Sequence, residues 1–256
     1  MSREEIFENL ENWSLGVDDT FQFHCTQCGK CCVTREDILL NPRDMYRISK
    51  FLKITPHELL EKHCETYIGG DSRMPIIRLK PIGKTKRCPF LTDSKCSIQE
   101  AKPAVCAIYP LGRFTKHDPE TDEMDSTDGM SVHYFLQPIT CGDTSETHTV
   151  REWLKGFDFE IEDKAHIIWT NFITRSSRLV KGFEEKLGFE KVVPLWNAIL
   201  VAAYLAYKPD EEFLPQFEKN ISSLGQLYDK LELMMNLPMA AEPPEETEGE
   251  DADGQK

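Results

Sequence analysis

Cys25, Cys28, Cys31 and Cys32 fall in the spacing C-x2-C-x2-C-C. This run constrains the fold more than any other stretch, because cysteine clusters for its chemistry rather than its packing. A C-x2-C turn lets two sulfurs converge on one ion, and Gly29, directly after Cys28, suits the tight backbone of a metal-binding knuckle. Four more cysteines follow at Cys88, Cys96, Cys106 and Cys141. The spacing therefore predicts a loop-rich fold whose distant segments turn back until their sulfurs meet around a bound cation. The metal would be part of folding, since loops with little regular structure need cross-links.

Zinc and iron–sulfur clusters both take thiolates. Eight thiolates are enough for two four-sulfur sites, or for one cluster with thiols to spare. Cys31 and Cys32 are neighbours, and adjoining side chains rarely reach one tetrahedral site without strain, so either they serve different sites or only one ligates. Three close cysteines with a remote Cys88-Pro89 are similar to ferredoxin ligation, whereas C-x2-C-G is also a zinc knuckle. The expected cofactor is a zinc or iron ion, with a [4Fe–4S] cluster as the iron form. His24 and His148 are side candidates for the site. His57, His63, His117, His133 and His166 lack ligand spacing, and Cys64, in an expected helix, is read as packing. There is no Gly-rich phosphate loop, no H-E-x-x-H and no serine nucleophile elbow, so no catalytic residue is assigned.

The 256-residue chain has a net charge of −14, which argues against nucleic-acid or anionic-membrane partners. The charged start Met1-Ser2-Arg3-Glu4-Glu5 does not read as a secretory leader. The longest nearly apolar stretch, Leu195 to Tyr207, is too short to span a bilayer, which takes about 20 residues. The expectation is a cytoplasmic protein, where clustered cysteines bind metal or do redox work. Against the acidic background, eight basic residues between Lys80 and Lys116 face only Asp93 and Glu100. Cations near the sulfurs would favour thiolates.

The expected fold class is α+β: a loop-rich cysteine-cluster metal-binding domain followed by an all-helical C-terminal segment. Residues 1–20 read as an N-terminal helix and lead-in, with Ser2 and Glu5 at capping-box spacing. Residues 21–148 form the metal-binding domain. Within it, Asn41-Pro42 starts a helix running to about Leu52, and Thr55-Pro56 starts another that ends before Gly69. Ile76 to Lys80 reads as a strand, and Asp118 to Gly129 as a polar excursion. Residues 149–237 form a helical bundle segment. Thr149 and Glu152 cap its first helix, and apolar stripes follow at Ile161–Leu187, Val192–Ala203 and Phe213–Leu231, with Gly188 as a stop and Met234-Met235 in the core. Residues 238–256, with seven acids from Glu242 onward, read as a disordered acidic tail.

Phe23, the C-x2-C-x2-C-C run, Cys88-Pro89-Phe90-Leu91, Cys96-Ser97-Ile98, Lys102-Pro103-x-x-Cys106 and Tyr109-Pro110 together resemble the YkgJ-type cysteine-cluster family over roughly residues 21–148. That resemblance implies a zinc- or iron-chelating domain with metal ligands at Cys25, Cys28, Cys31, Cys32, Cys88, Cys96, Cys106 and Cys141. Lys102 stands where the family often has arginine, and Gln99 where it often has tyrosine. Neither departure removes a thiol. The first functional expectation is a cytosolic metal-binding protein. The alternatives are a [4Fe–4S] enzyme or electron-transfer protein, and an interaction module whose helical segment docks a protein partner on a metal-held scaffold.

Overall fold

The computed structural model describes residues 13–117 and 127–236. The expected N-terminal helix, most of the Asp118–Gly129 excursion and the acidic tail lie outside these residues. The fold is α+β. Its strands are β1 (Ser14–Leu15), β2 (Thr20–His24), β3 (Leu39–Leu40), β4 (Cys64–Ile68), β5 (Pro75–Leu79), β6 (Leu91–Thr92), β7 (Lys95–Cys96), β8 (Leu111–His117), β9 (Met130–Leu136) and β10 (Asp143–Thr149). The helices are α1 (Pro42–Leu52), α2 (Pro56–His63), α3 (Ala104–Ala107), α4 (Val150–Gly156), α5 (Lys164–Leu187), α6 (Phe189–Ile199) and α7 (Phe213–Asn236). All pairings are antiparallel, in four small sheets ordered β1-β9-β8, β10-β2, β3-β5-β4 and β6-β7.

Local chemistry sets most helix starts. Asn41, Thr55 and Thr149 each accept from the backbone N–H three residues on, and Asp44, Glu58 and Glu152 return the bond. These reciprocal caps satisfy donors that the first turn leaves unpaired. Pro42 and Pro56 occupy the first helical position, where a missing N–H costs nothing. Gly188, at φ 82°, separates α5 from α6. After Ile199, α6 widens into a π-helical turn over Leu200–Leu205.

Two sequence expectations change. The helix begun at Pro56 stops at His63, and Cys64 opens β4 instead of lying in a helix. Thr66, Tyr67 and Ile68 are β-branched or aromatic, and their pairing with β5 outweighs helical continuation. Met234 is 67% exposed rather than in the core, because α7 runs past the elements it packs on.

The larger core joins both halves of the chain. Met45, Ile48, Leu59 and Ile77 share one cluster with Trp169, Val180, Ile199 and Tyr228. Buried Cys64 belongs to this cluster as packing. A second cluster gathers Phe21, Phe23, Ala107, Leu111 and Tyr134 with Val150 and Leu154 of α4. The cysteines sit between these two cores. Cys88, Cys96 and Cys106 pack on the first, and Cys25 on the second.

Candidate metal centre

Five chain segments bring the cysteines together. The loop after β2 carries Cys25 and Cys28, then closes in a 3-10 turn over Lys30–Cys32. Gly29 makes that turn possible. Its φ is 71°, and a side chain would begin 3.0 Å from Ser94 O, a conformation and an approach that favour glycine. The Cys88 N–H donates to Cys32 O at 2.7 Å, tying the second segment to the first. Cys96 lies on the β6–β7 hairpin, whose turn residues Asp93 and Ser94 both have positive φ. Cys106 sits in the single-turn helix α3, whose Ala104 N–H donates to buried Asp44 Oδ1 at 2.8 Å. Cys141 precedes Gly142 at the entry to β10. Gly142 has φ 76°, and a Cβ there would lie 2.4 Å from His24 O.

Cys25, Cys28, Cys31, Cys32, Cys88, Cys96, Cys106 and Cys141 all line one cavity of about 140 Å³. The Cys31 and Cys32 sulfurs are 3.9 Å apart. Cys31 is also within reach of Cys141, and Cys32 of Cys88. Cys141 thus flanks Cys31, and Cys88 flanks Cys32. Among the described residues, no three His, Cys, Asp or Glu side chains converge tightly enough to hold an ion as they stand; the sulfurs ring the cavity instead. Nine free cysteines and no disulfide are present among the described residues.

Crowding and burial hold most of these thiols protonated. Contact with Cys32, then burial, pushes Cys31 far above the usual thiol range. Contact with Cys31 draws Cys32 down, but the neighbouring Cys88 and burial leave it raised to about 11. Cys106 is raised by burial, and so are Cys96 and Cys141. Cys88 is lowered by its bond with Cys32, and exposed Cys28 by the Lys30 backbone N–H. A metal arriving here must displace protons.

Two cations stand on the cavity wall. Lys102 favours the thiolates of Cys31 and Cys96, and Arg35 those of Cys106 and Cys31. Lys102 comes from the basic stretch seen in the sequence. Arg113 of the same stretch pairs instead with Asp163 at 3.1 Å, and Lys84, Lys86, Arg87 and Lys95 are exposed. Arg35 lies outside that stretch, and sequence reasoning passed over it. Its only local signal is its position three residues after Cys32.

Neither histidine candidate lines the cavity. His24 Nδ1 lies 3.1 Å from Ser145 Oγ and 3.4 Å from Asp143 Oδ1. His148 Nε2 meets Phe23 O at 3.0 Å. Phe23, Trp153 and Phe157 form the apolar side of the cavity, and Trp153 Nε1 donates to Ile108 O at 3.1 Å.

Residues 24–127 match the CxxCxxCC family, described as a "Putative zinc- or iron-chelating domain". The chain is also 30% identical over 90 residues to the uncharacterized protein MJ0661 of Methanocaldococcus jannaschii, a match covering 34% of this chain and 44% of that protein. No solved structure matches. Cys141 lies beyond the matched CxxCxxCC segment yet lines the same cavity as the cysteines inside it.

The donor set suits the groups the family description names. The cavity is lined by eight cysteines and by no His, Asp or Glu, a donor set that fits zinc and iron–sulfur clusters and not magnesium or calcium, which take oxygen. No helix among the described residues is long and apolar enough to cross a membrane.

Proposed function

We propose that this is a metal-binding protein that holds zinc or iron on the thiolates of Cys25, Cys28, Cys31, Cys32, Cys88, Cys96, Cys106 and Cys141, in one centre containing more than one metal atom. The observation that carries this is the convergence of all eight cysteines, from five chain segments, on a single cavity. The contact between the Cys31 and Cys32 sulfurs, within the one cavity that all eight cysteines line, favours a shared centre over two isolated sites. A volume of about 140 Å³ exceeds what one bare ion fills, since a water molecule takes about 30 Å³ of liquid. When bound, the metal supplies cross-links between loops; Lys102 and Arg35 offset the thiolate charge. Such a centre needs a reducing compartment, consistent with a cytoplasmic setting.

The surplus of thiols over the four that one tetrahedral ion takes also favours the iron–sulfur reading, with redox or electron-transfer chemistry. Protein purified without oxygen decides between the two. Zinc in a colourless sample supports the structural centre, and stoichiometric iron and sulfide with visible absorbance support the cluster. Two or more metals per chain are expected, with loss of at least half on Cys32→Ser and no loss on Cys64→Ser. A single metal per chain, retained in Cys32→Ser, would overturn the shared centre.

A further inference from the structure

Behind α3 lies a second, larger cleft. Its volume is about 560 Å³, inside the roughly 300–1,000 Å³ range of small-molecule sites. α3 is the partition between the two spaces: Cys106 and Ala107 face the thiol cavity, Ala104 and Ile108 face the cleft, and Val105 borders both. Its walls are mostly apolar, formed by Met74 and Ile76 from β5 and the turn before it, Phe135 from β9, and Trp169 and Ile173 from α5.

One end is polar, and what remains unengaged there is donors. Two carboxylates border that end, and their oxygens are already occupied. Asp163 Oδ2 takes both Arg43 and Arg113, at 3.2 and 3.1 Å, and Asp163 Oδ1 takes the His166 N–H at 3.2 Å. Asp44 Oδ1 takes the Ala104 N–H, and Asp44 Oδ2 the Asn41 N–H at 3.1 Å. Asn41 Oδ1 accepts from the Asp44 N–H, which leaves its amide N–H groups without a partner among the described residues. Arg113 spends one Nη on Asp163 and touches Tyr134, fewer than its five donors. Arg43 and Arg113 share the single Asp163 carboxylate, and Asp44 supplies a second carboxylate beside Arg113.

We propose that this cleft binds a small amphipathic carboxylate, its apolar body between the Trp169 and Met74 walls and its carboxylate on the donors of Asn41 and Arg113. An anion engages the leftover donors, and an apolar chain lies along the Trp169 and Met74 walls. The site does not depend on which metal the neighbouring centre holds.

Decanoate, below its micellar concentration, is the probe, with decanol as the uncharged molecule of the same body. Both are titrated calorimetrically into the metal-loaded full chain. Decanoate is expected to bind at one site per chain, at least tenfold tighter than decanol. Thr170→Trp, which fills the cleft from α5, is expected to weaken decanoate at least tenfold, and Arg113→Gln to bring decanoate close to decanol. Circular dichroism and metal content check that each variant is folded. Should Arg113→Gln unfold, Thr170→Trp and the decanol comparison still decide. Absence of decanoate binding at millimolar concentration, equal binding of decanol, or unchanged binding in folded Thr170→Trp would each overturn the assignment.

Discussion

His166 shows how a single side chain acquires a property its neighbours impose. Half-buried on α5, with Nε2 3.4 Å from Thr115 Oγ1, its imidazole is pushed down to about 4 by burial and then by the Arg113 charge, with Asp163 opposing. The neutral ring is the one the fold accepts. Stability from this residue is therefore complete above the unfolded value near 6.5 and is lost as pH falls from there toward 4, by at most about 1.4 kcal/mol per pH unit. Between pH 7 and 5, urea melts of the metal-loaded protein should show it losing about 1–2 kcal/mol more than His166→Phe. Parallel losses in both proteins would contradict this assignment. Nothing in the sequence around His166 announces this, because the burial and the arginine come from α5 and β8 meeting. The cysteines are the opposite case: their chemistry is visible residue by residue, and only their grouping needed the fold. Arg35 belongs with His166, since its influence on Cys106 is a matter of distance in space.

At the scale of elements, the three capped helix starts were legible because capping is local: the acceptor, the returning carboxylate and, at two of them, the proline lie within four residues. Asp44 closes the capping box at Asn41 and has a second role that no local spacing announces. The same carboxylate reaches across to α3 and holds the Ala104 N–H, two residues before Cys106. Burial raises Asp44 to about 6, while the bonds from Asn41 and Ala104 work against that rise. Asp44→Ala removes a capping box and leaves a buried donor unpaired, a combined loss of about 2 kcal/mol after the relief of burying a charge is counted. Thermal melts should show that loss, and metal titrations should show weaker binding, with Asp44→Asn milder in both. A fully stable Asp44→Ala with wild-type metal uptake would remove α3 positioning from the list of Asp44's functions. The helix that ended early at His63 has the same lesson reversed: a good local start does not fix the stop when a partner strand lies within reach.

At the scale of the whole molecule, the helices from α4 onward are part of the support for the cysteine-bearing half. α5, α6 and α7 pack in one cluster with Met45, Ile48, Leu59 and Ile77, all fully buried. Exposing a side chain of that size costs roughly 1.5–3 kcal/mol, and losing four at once is comparable to the total stability of a typical domain, about 5–15 kcal/mol. A chain truncated after residue 148 should therefore fail to give a dispersed NMR spectrum or a cooperative melt, even with zinc or iron supplied. A well-folded fragment would show that the thiolate cross-links alone sustain that half. From its sequence alone, this protein's class of chemistry, its α+β make-up, most helix starts and the CxxCxxCC resemblance could be derived, since these follow from residue type and short spacing. Tertiary structure alone decided that all eight thiols share one space, that α3 divides that space from a larger cleft, and that Arg35, Asp44 and His166 matter. Those outcomes depend on which distant surfaces bury each other, and spacing along a chain carries no record of that.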